Sequence, residues 1–357
     1  MFLHRKVKLA LVLACIFLLL FAVTMASARP DSQAVVTLSA DQSFFAADQQ
    51  VVIHVNISNP TRHTIHVLSW YTPVDGVEEP LFAVARDGTP VAYTGAVYKR
   101  PAPTGQDYIQ LKAGESITSD VSLGTVYDLS ASGTYSVVYD ISAMNLTAEK
   151  GNPNQAVESL SSNTLVLGIE GRQALNLFGE AVAPDAVTGS TSFVKCNSSQ
   201  QSLLVQARSQ ASVYSTDAKG YLQANKTGAR YTTWFGVYNS SRYSTVTTHF
   251  NSITNAMDTA SVTFNCGCKK KYYAYVYPNQ PYVIYLCSVF WQAPMTGTDS
   301  KAGTLIHEMS HFYVVASTTD YVYGQAGAKN LAITDPAKAI MNADNHEYFA
   351  ENTPSLP

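Results

Sequence analysis

His307-Glu308-Met309-Ser310-His311 has the spacing H-E-x-x-H, and Asp320 and Tyr323 follow it. On a helix the two histidines lie one turn apart on the same face. Both imidazoles can then reach one Zn²⁺ while Glu308 faces the water that the metal activates. The chemistry predicted is metal-assisted hydrolysis. A catalytic zinc usually takes three protein ligands and keeps one position open, so a third ligand is needed. The metzincin spacing fails, because Val314 and Ser317 stand where that pattern needs glycine and a third histidine. Glu347 or Glu351, on a later helix, could serve as in thermolysin-like enzymes. Asp320 is the best candidate: nine residues past His311, it lets the chain leave the helix, turn through Ala316-Ser317-Thr318-Thr319 and bring a carboxylate back.

The elements that must position these residues are legible in outline. Ala302, Leu305, Ile306, Met309 and Phe312 surround the motif, so Ser300 to Val315 is predicted as a helix buried on most sides. Leu203, Leu204, Ala207 and Ala211 recur as one face of an earlier helix, and Arg242 to Met257 reads as another. Ser261 to Cys266, Tyr272 to Tyr277 and Tyr282 to Ser288 read as strands. More helix is expected from Tyr323 to Ala332 and from Pro336 to about Asn345. This half is therefore α+β, mainly helical. From about residue 32 to 170 the texture differs: Val51 to Ile57, Thr64 to Tyr71, Leu81 to Arg86 and Thr134 to Ile141 are short alternating runs, with Asp87-Gly88 as a hairpin signal. The expectation there is an all-β, immunoglobulin-like sandwich.

The chain has 357 residues, which fits two domains and two cores. Arg5, Lys6 and Lys8, the apolar run Leu9 to Val23 and Ala26-Ser27-Ala28 read as a secretory signal over 1–28, and the run is short for a membrane anchor. The predicted location is extracellular, with no stable membrane association once the signal is removed. Cys196, Cys266, Cys268 and Cys287 remain, an even number that suggests two disulfides in an oxidising compartment; spacing leaves three pairings open, and a structural zinc site is the alternative. A net charge of −3 with 14% charged residues argues against nucleic acid and anionic membrane surfaces as partners. Lys269-Lys270-Lys271 reads as a solvated strand end. Residues 171–190 read as an exposed connector where maturation cleavage would fall.

His307-Glu308-x-x-His311 with Thr318-x-Asp320-x-x-Tyr323-Gly324 resembles the signature of the aspzincin (deuterolysin) family of zinc endopeptidases. Arg230 to Gly236, Ala274 to Asn279, Thr296 to Ser300 and Met341 to Phe349 extend the likeness, to lysine-specific members of that family, over about 191–354. The resemblance implies a zincin catalytic domain over 191–357 holding one Zn²⁺ through His307, His311 and Asp320. It makes Glu308 the general base and gives Tyr323 the oxyanion of the tetrahedral intermediate. Asp344 and Glu347 would accept the lysine side chain that follows the scissile bond; their spacing of three puts both carboxylates on one helical face, where they can bracket an ammonium. It also implies the pairings Cys196 with Cys266 and Cys268 with Cys287. The chain departs from the family at Ser317, where the motif begins with a glycine suited to a tight turn.

The function expected is thus a secreted zinc endopeptidase, made as a zymogen, acting on proteins and peptides at the amino side of lysine. In the first domain His54, His63 and His66 are scattered and no acid is placed to complete a site. Residues 29–170 are therefore read as a pro-domain that covers the cleft, and the absence of cysteine from 29–195 excludes silencing by a thiolate. Self-processing between 151 and the catalytic domain could use only Val194-Lys195, the sole lysine there. Two alternatives stand beside this reading. One is an aspzincin of broad specificity with Asp344 and Glu347 structural; the other is a non-catalytic adhesion or binding protein, against which an intact Glu308 argues.

Overall fold

The structure is a computed structural model and describes residues 34–149, 152–153, 157–171 and 189–357. The expected signal, 1–28, and all of the expected connector except 171, 189 and 190 lie outside the described residues.

Alternation builds the first half. Val35–Ser39, Val52–Ser58 and Ser116–Ser122 form an antiparallel sheet with Val52–Ser58 in the middle. Its Ile53, Val55 and Ile57 are buried while His54 and Asn56 face outward, the period of a sheet with one wet face. A second sheet runs in the order Phe44–Phe45, Leu165–Ile169, Gly133–Met144, Phe82–Arg86, Thr89–Pro90, and the far end of Gly133–Met144 pairs with Val157–Ser161. Asp87 and Gly88 close the predicted hairpin with φ of 48° and 81°, the left-handed pair that a two-residue turn requires. A third sheet joins Asn152–Pro153, Thr147–Glu149, Ile65–Leu68 and Tyr108–Leu111. These sheets share one apolar core, with Ile53, Val67, Leu81, Val137 and Tyr139 fully enclosed.

The second half has its own apolar core. Helices Ser198–Gln223 and Ser240–Thr259 begin at Asn197 and Asn239, whose side chains accept from backbone N–H groups of the first turn. Leu204, Ala207 and Ala211 point inward as their spacing predicts, but Leu203 is 36% exposed and belongs to the outer face. The motif helix is Lys301–His311, and all eleven of its residues are buried; Ser300 caps it through its hydroxyl, which accepts from the Gly303 N–H. It stops at Phe312, short of the expected Val315, because Phe312 takes an extended ψ of 132° that turns the chain back toward the histidines. Gly324–Thr334, Pro336–Ala339 and Ala343–Glu351 complete the helices around it.

The sheet of this half holds a strand that the alternation pattern assigns to the sandwich. Its order is Thr191–Val194, Val262–Asn265, Val283–Leu286, Ala274–Val276 and then Val97–Lys99. The first three are parallel, and Ala274–Val276 runs antiparallel to both of its neighbours. Val97–Lys99 leaves the β-rich half to pair with the outer edge of this sheet, Lys99 opposite Ala274 and Tyr98 opposite Tyr275. The disulfides are Cys196–Cys266 and Cys268–Cys287. The first joins the ends of two adjacent strands of this sheet.

Candidate active site

Helical spacing puts His307 and His311 on one face, their ring centroids 4.8 Å apart. The return of the chain is fixed by three contacts: the Thr318 N–H donates to the Ser310 carbonyl at 3.1 Å, the Ser310 and Thr318 hydroxyls meet at 2.6 Å, and His311 Nδ1 lies 2.9 Å from the Thr318 carbonyl. A carbonyl only accepts, so His311 carries its proton on Nδ1 and turns the Nε2 lone pair inward. His307 Nδ1 lies 2.8 Å from Asp344 Oδ1, an ion-pair distance without the angle of a hydrogen bond, and the carboxylate favours a proton on that nitrogen. Asp320 arrives between them, Oδ1 3.3 Å from His307 Nε2 and Oδ2 3.3 Å from His311 Nε2. The turn that brings it passes through Ser317 at φ 52°, the left-handed conformation a glycine would adopt without strain.

The donor set fits a metal ion. Both Nε2 atoms, both Asp320 oxygens and both Glu308 oxygens are buried without a hydrogen-bonding partner among the described residues. Buried lone pairs converging in this way are costly unless a cation joins them, and His307, His311 and Asp320 offer atoms within 4.8 Å of one another. Burial alone would raise the Asp320 carboxyl, yet positive charge on His311 and His307, which Asp320 favours in turn, holds it well below the usual carboxylate range; a bound cation would supply that charge and leave the imidazoles neutral. Burial pushes Glu308 up to about 7 against the opposing pull of the histidines.

A second trio, His307, Asp344 and Glu347, meets the same distance criterion, but an ammonium fills it. Lys99 Nζ is 2.5 Å from Glu347 Oε2, 3.3 Å from Asp344 Oδ1 and 3.7 Å from Asp299 Oδ1, and its side chain is 1% exposed. The Tyr273 ring lies 4.9 Å from the ammonium. The Tyr348 hydroxyl donates to Asp299 at 2.6 Å and the Gly324 N–H to Asp344 at 2.6 Å, so the carboxylates are held in place. Asp344 therefore touches both the ammonium and a candidate metal ligand. Glu351, weighed as a third ligand, is instead engaged by the Ser300 hydroxyl (2.7 Å) and N–H (2.9 Å) at the start of the motif helix. Glu347 is committed to Lys99.

Next to Lys99, Arg100 is paired with Glu79 and, at 3.0 Å, with Glu78, and its guanidinium stacks near the rings of Trp70, Tyr98 and Tyr272. Arg100 also donates to the Tyr323 hydroxyl at 3.2 Å. That hydroxyl has one hydrogen and two acceptors in reach, the Tyr98 carbonyl at 2.9 Å and Glu79 Oε1 at 3.1 Å. Tyr323 is thus a hydrogen-bonding residue at the site and not core packing alone.

The sequence assigns no site role to Lys99, Arg100, Glu78 or Glu79, and carries Asp299 only within the stretch Thr296 to Ser300. The available signal was a lysine in a chain whose pocket suits lysine, together with the opposed pairs Glu78-Glu79 and Lys99-Arg100. Two smaller expectations also change. Lys270 pairs with Glu78 and is not simply solvated, and His54 has acids beside it, Asp120 at 2.7 Å and Asp41 at 3.2 Å. His346 is buried, with His249 Nδ1 3.0 Å from its Nε2.

A buried H-E-x-x-H helix with a returning aspartate, set beside a helical core and a small mixed sheet, is the centre of a metallopeptidase. The family model for aspzincins, described as "Lysine-specific metallo-endopeptidase", matches residues 221–351. An "Extracellular protease" of Aeromonas hydrophila is 46% identical over 85% of this chain and 89% of its own length. A "Peptidyl-Lys metalloendopeptidase" of Grifola frondosa is 41% identical over 71% of this chain and 72% of its own. The solved "zinc peptidase from Grifola frondosa" is 54% identical, covering 45% of this chain and 100% of that one with a TM-score of 0.44. The chain belongs to the aspzincin family of zinc metalloendopeptidases. No helix among the described residues is long and apolar enough to cross a membrane.

Proposed function

We propose that this protein is a secreted zymogen of an endopeptidase that cuts on the amino side of lysine. The observation that carries the reading is the ammonium of Lys99 enclosed by Asp344, Glu347 and Asp299 beside the histidine pair. A neutral side chain there would leave two buried carboxylates unpaired, which sets a penalty against other residues at the position after the scissile bond. The names of the Grifola relative and of the family model agree with it.

His307, His311 and Asp320 would hold one zinc ion. When bound, zinc acidifies a water molecule and draws electron density from the scissile carbonyl. Glu308, buried beside the two histidines, accepts the proton of the attacking water and returns it to the departing amine. Tyr323 donates to the oxygen on which charge develops, an interaction worth more in the transition state than before it. Asp344 orients His307 through Nδ1 while its other contacts face the pocket.

The first half is read as an immunoglobulin-like pro-domain that covers the cleft, supported by antiparallel sheets around their own core and by the Val97–Lys99 strand along the catalytic edge. Secretion rests on the leader read in 1–28, on the two disulfides and on the extracellular relative. The test is digestion of a denatured protein by the zinc-loaded enzyme after removal of the first half, with Glu308→Ala as control. New N-termini should begin with lysine and be absent from the variant. Termini spread evenly over residue types would refute the specificity, and no cleavage at all would refute the reading.

A further inference from the structure

We infer that the Tyr98–Lys99 peptide bond is a substrate of this chain's own active site, so that the zymogen is nicked there intramolecularly. The inference rests on the lysine-directed activity proposed above and goes beyond the covering of the cleft, which needs no cut. Four features place this bond, and not merely this strand, at the chemistry. Lys99 fills the acidic pocket with its ammonium. The bond on its amino side belongs to the Tyr98 carbonyl. That carbonyl oxygen is the nearer of the two acceptors in reach of the Tyr323 hydroxyl, at 2.9 Å. The backbone is held on the edge of the catalytic sheet in extended, antiparallel pairing, with Lys99 opposite Ala274 and the Lys99 carbonyl accepting from the Tyr273 N–H at 3.0 Å. An extended backbone on a sheet edge, one side chain in a charge-matched pocket and the carbonyl before it on a phenol donor are together the pose of a substrate.

A cavity of about 170 Å³, lined by Asp320, Thr319, Tyr71 and Glu79 among others, reaches one of the three candidate ligands and is large enough for several waters. Water adds across the C–N bond: its oxygen goes to the Tyr98 carbonyl carbon, which becomes a carboxylate. The Lys99 nitrogen takes the proton and leaves as an amine. Nothing else is consumed.

The new amino end stays anchored, since Lys99 keeps its carboxylates and Arg100 keeps Glu78 and Glu79, while on the other side of the cut Tyr98 stays opposite Tyr275 on the sheet edge. The cut strand therefore still fills the cleft, and activity toward added peptides lags behind the nick until the strand departs. This separates the device from a simple plug, in which Lys99 blocks the pocket and its bond survives.

The test uses the full chain, purified without metal. Lysine acetylation of the metal-free protein is mapped first by mass spectrometry: Lys99 should resist while Lys112, whose side chain is 72% exposed, reacts. Zinc is then added, and N-termini and cleavage of an added lysyl peptide are followed together. A terminus at Lys99 should appear in wild type and not in Glu308→Ala, with a rate unchanged over about a 100-fold range of protein concentration, and ahead of peptide cleavage. The inference is overturned by free acetylation of Lys99, by the same terminus in Glu308→Ala, or by a rate proportional to concentration. It is equally overturned by a preparation that cleaves the added peptide with Tyr98–Lys99 intact. If the peptide is not cut even after a second protease has removed the first half, the endopeptidase reading itself fails.

Discussion

Glu347→Gln is the sharpest test of the pocket. The substitution keeps the shape and removes one charge from a site where a lysine ammonium sits 2.5 Å from Glu347 Oε2 and 3.3 Å from Asp344 Oδ1. Both carboxylates and the ammonium are buried, so screening by solvent is slight. Replacing the nearer charged partner of a buried pair by a neutral amide costs about 2–4 kcal/mol, which is about 30- to 1,000-fold in kcat/KM. Of two matched peptides only the one with lysine after the scissile bond should suffer, because it brings the cation; the kcat/KM for the one with methionine there should hold or rise. Asp344→Asn is the informative contrast. Asp344 is also 2.8 Å from His307 Nδ1, so it should lose about 10- to 100-fold in zinc affinity as well. The assay is kcat/KM on the lysine and methionine peptides with the activated enzyme, with bound zinc measured in the same samples. An equal fall on both peptides in Glu347→Gln, preference unchanged, would refute the assignment of this residue to specificity.

Three further outcomes follow from the geometry. Glu308→Ala should lower kcat by about 10²- to 10⁴-fold, the range of a positioned general base, while zinc titration still gives one ion per chain, because Glu308 is outside the ligand trio; loss of zinc from the variant would contradict that division of roles. His249 and His346 are buried and share a hydrogen bond, and burial holds them neutral, at about 4 and about 3. Below about pH 6.5 the unfolded chain takes protons that the folded chain refuses, so the stability is complete above 6.5 and lost as pH falls toward 4; for His249 this is about 2 kcal/mol by pH 5. Urea midpoints at pH 7 and 5 should therefore converge in His249→Gln relative to wild type, and an unaltered pH slope would count against buried neutral imidazoles. Ser317→Gly should change stability by less than about 1 kcal/mol without loss of activity, since relief of a φ of 52° is offset by loss of the hydrogen bond that the serine hydroxyl donates to the Tyr313 carbonyl at 3.2 Å; a fall in bound zinc would mean that the serine also positions the turn to Asp320.

Legibility differed by element for physical reasons. The H-E-x-x-H helix was readable because its chemistry is local: spacing of four on a helix fixes where two side chains point. The strands of the first half were readable by period, and the Asp87-Gly88 turn by its backbone demand. Helix ends were less so, since the stop at Phe312 serves the return of Asp320, a tertiary requirement. Leu203 was misplaced because neighbouring leucines on a helix diverge by about 100°, and only packing decides which one faces the core. Val97–Lys99 was invisible as a catalytic-edge strand, because three residues carry too little pattern to name their partner.

The sequence by itself determined the class of chemistry and the candidate residues for it, because a metal site needs particular side-chain atoms and a local frame to hold most of them. It also carried the two cores, through hydrophobic period, and the cysteines that close the two disulfides. Only the tertiary structure decided what occupies the site. The meeting of Lys99 with Asp344 and Glu347, of Arg100 with Glu78 and Glu79, and of the Tyr98 carbonyl with Tyr323 joins segments up to about 250 residues apart. No periodicity in a chain encodes such a juxtaposition. It is fixed by which sheet edge is left unpaired, and by the cost of burying charges that find no partner.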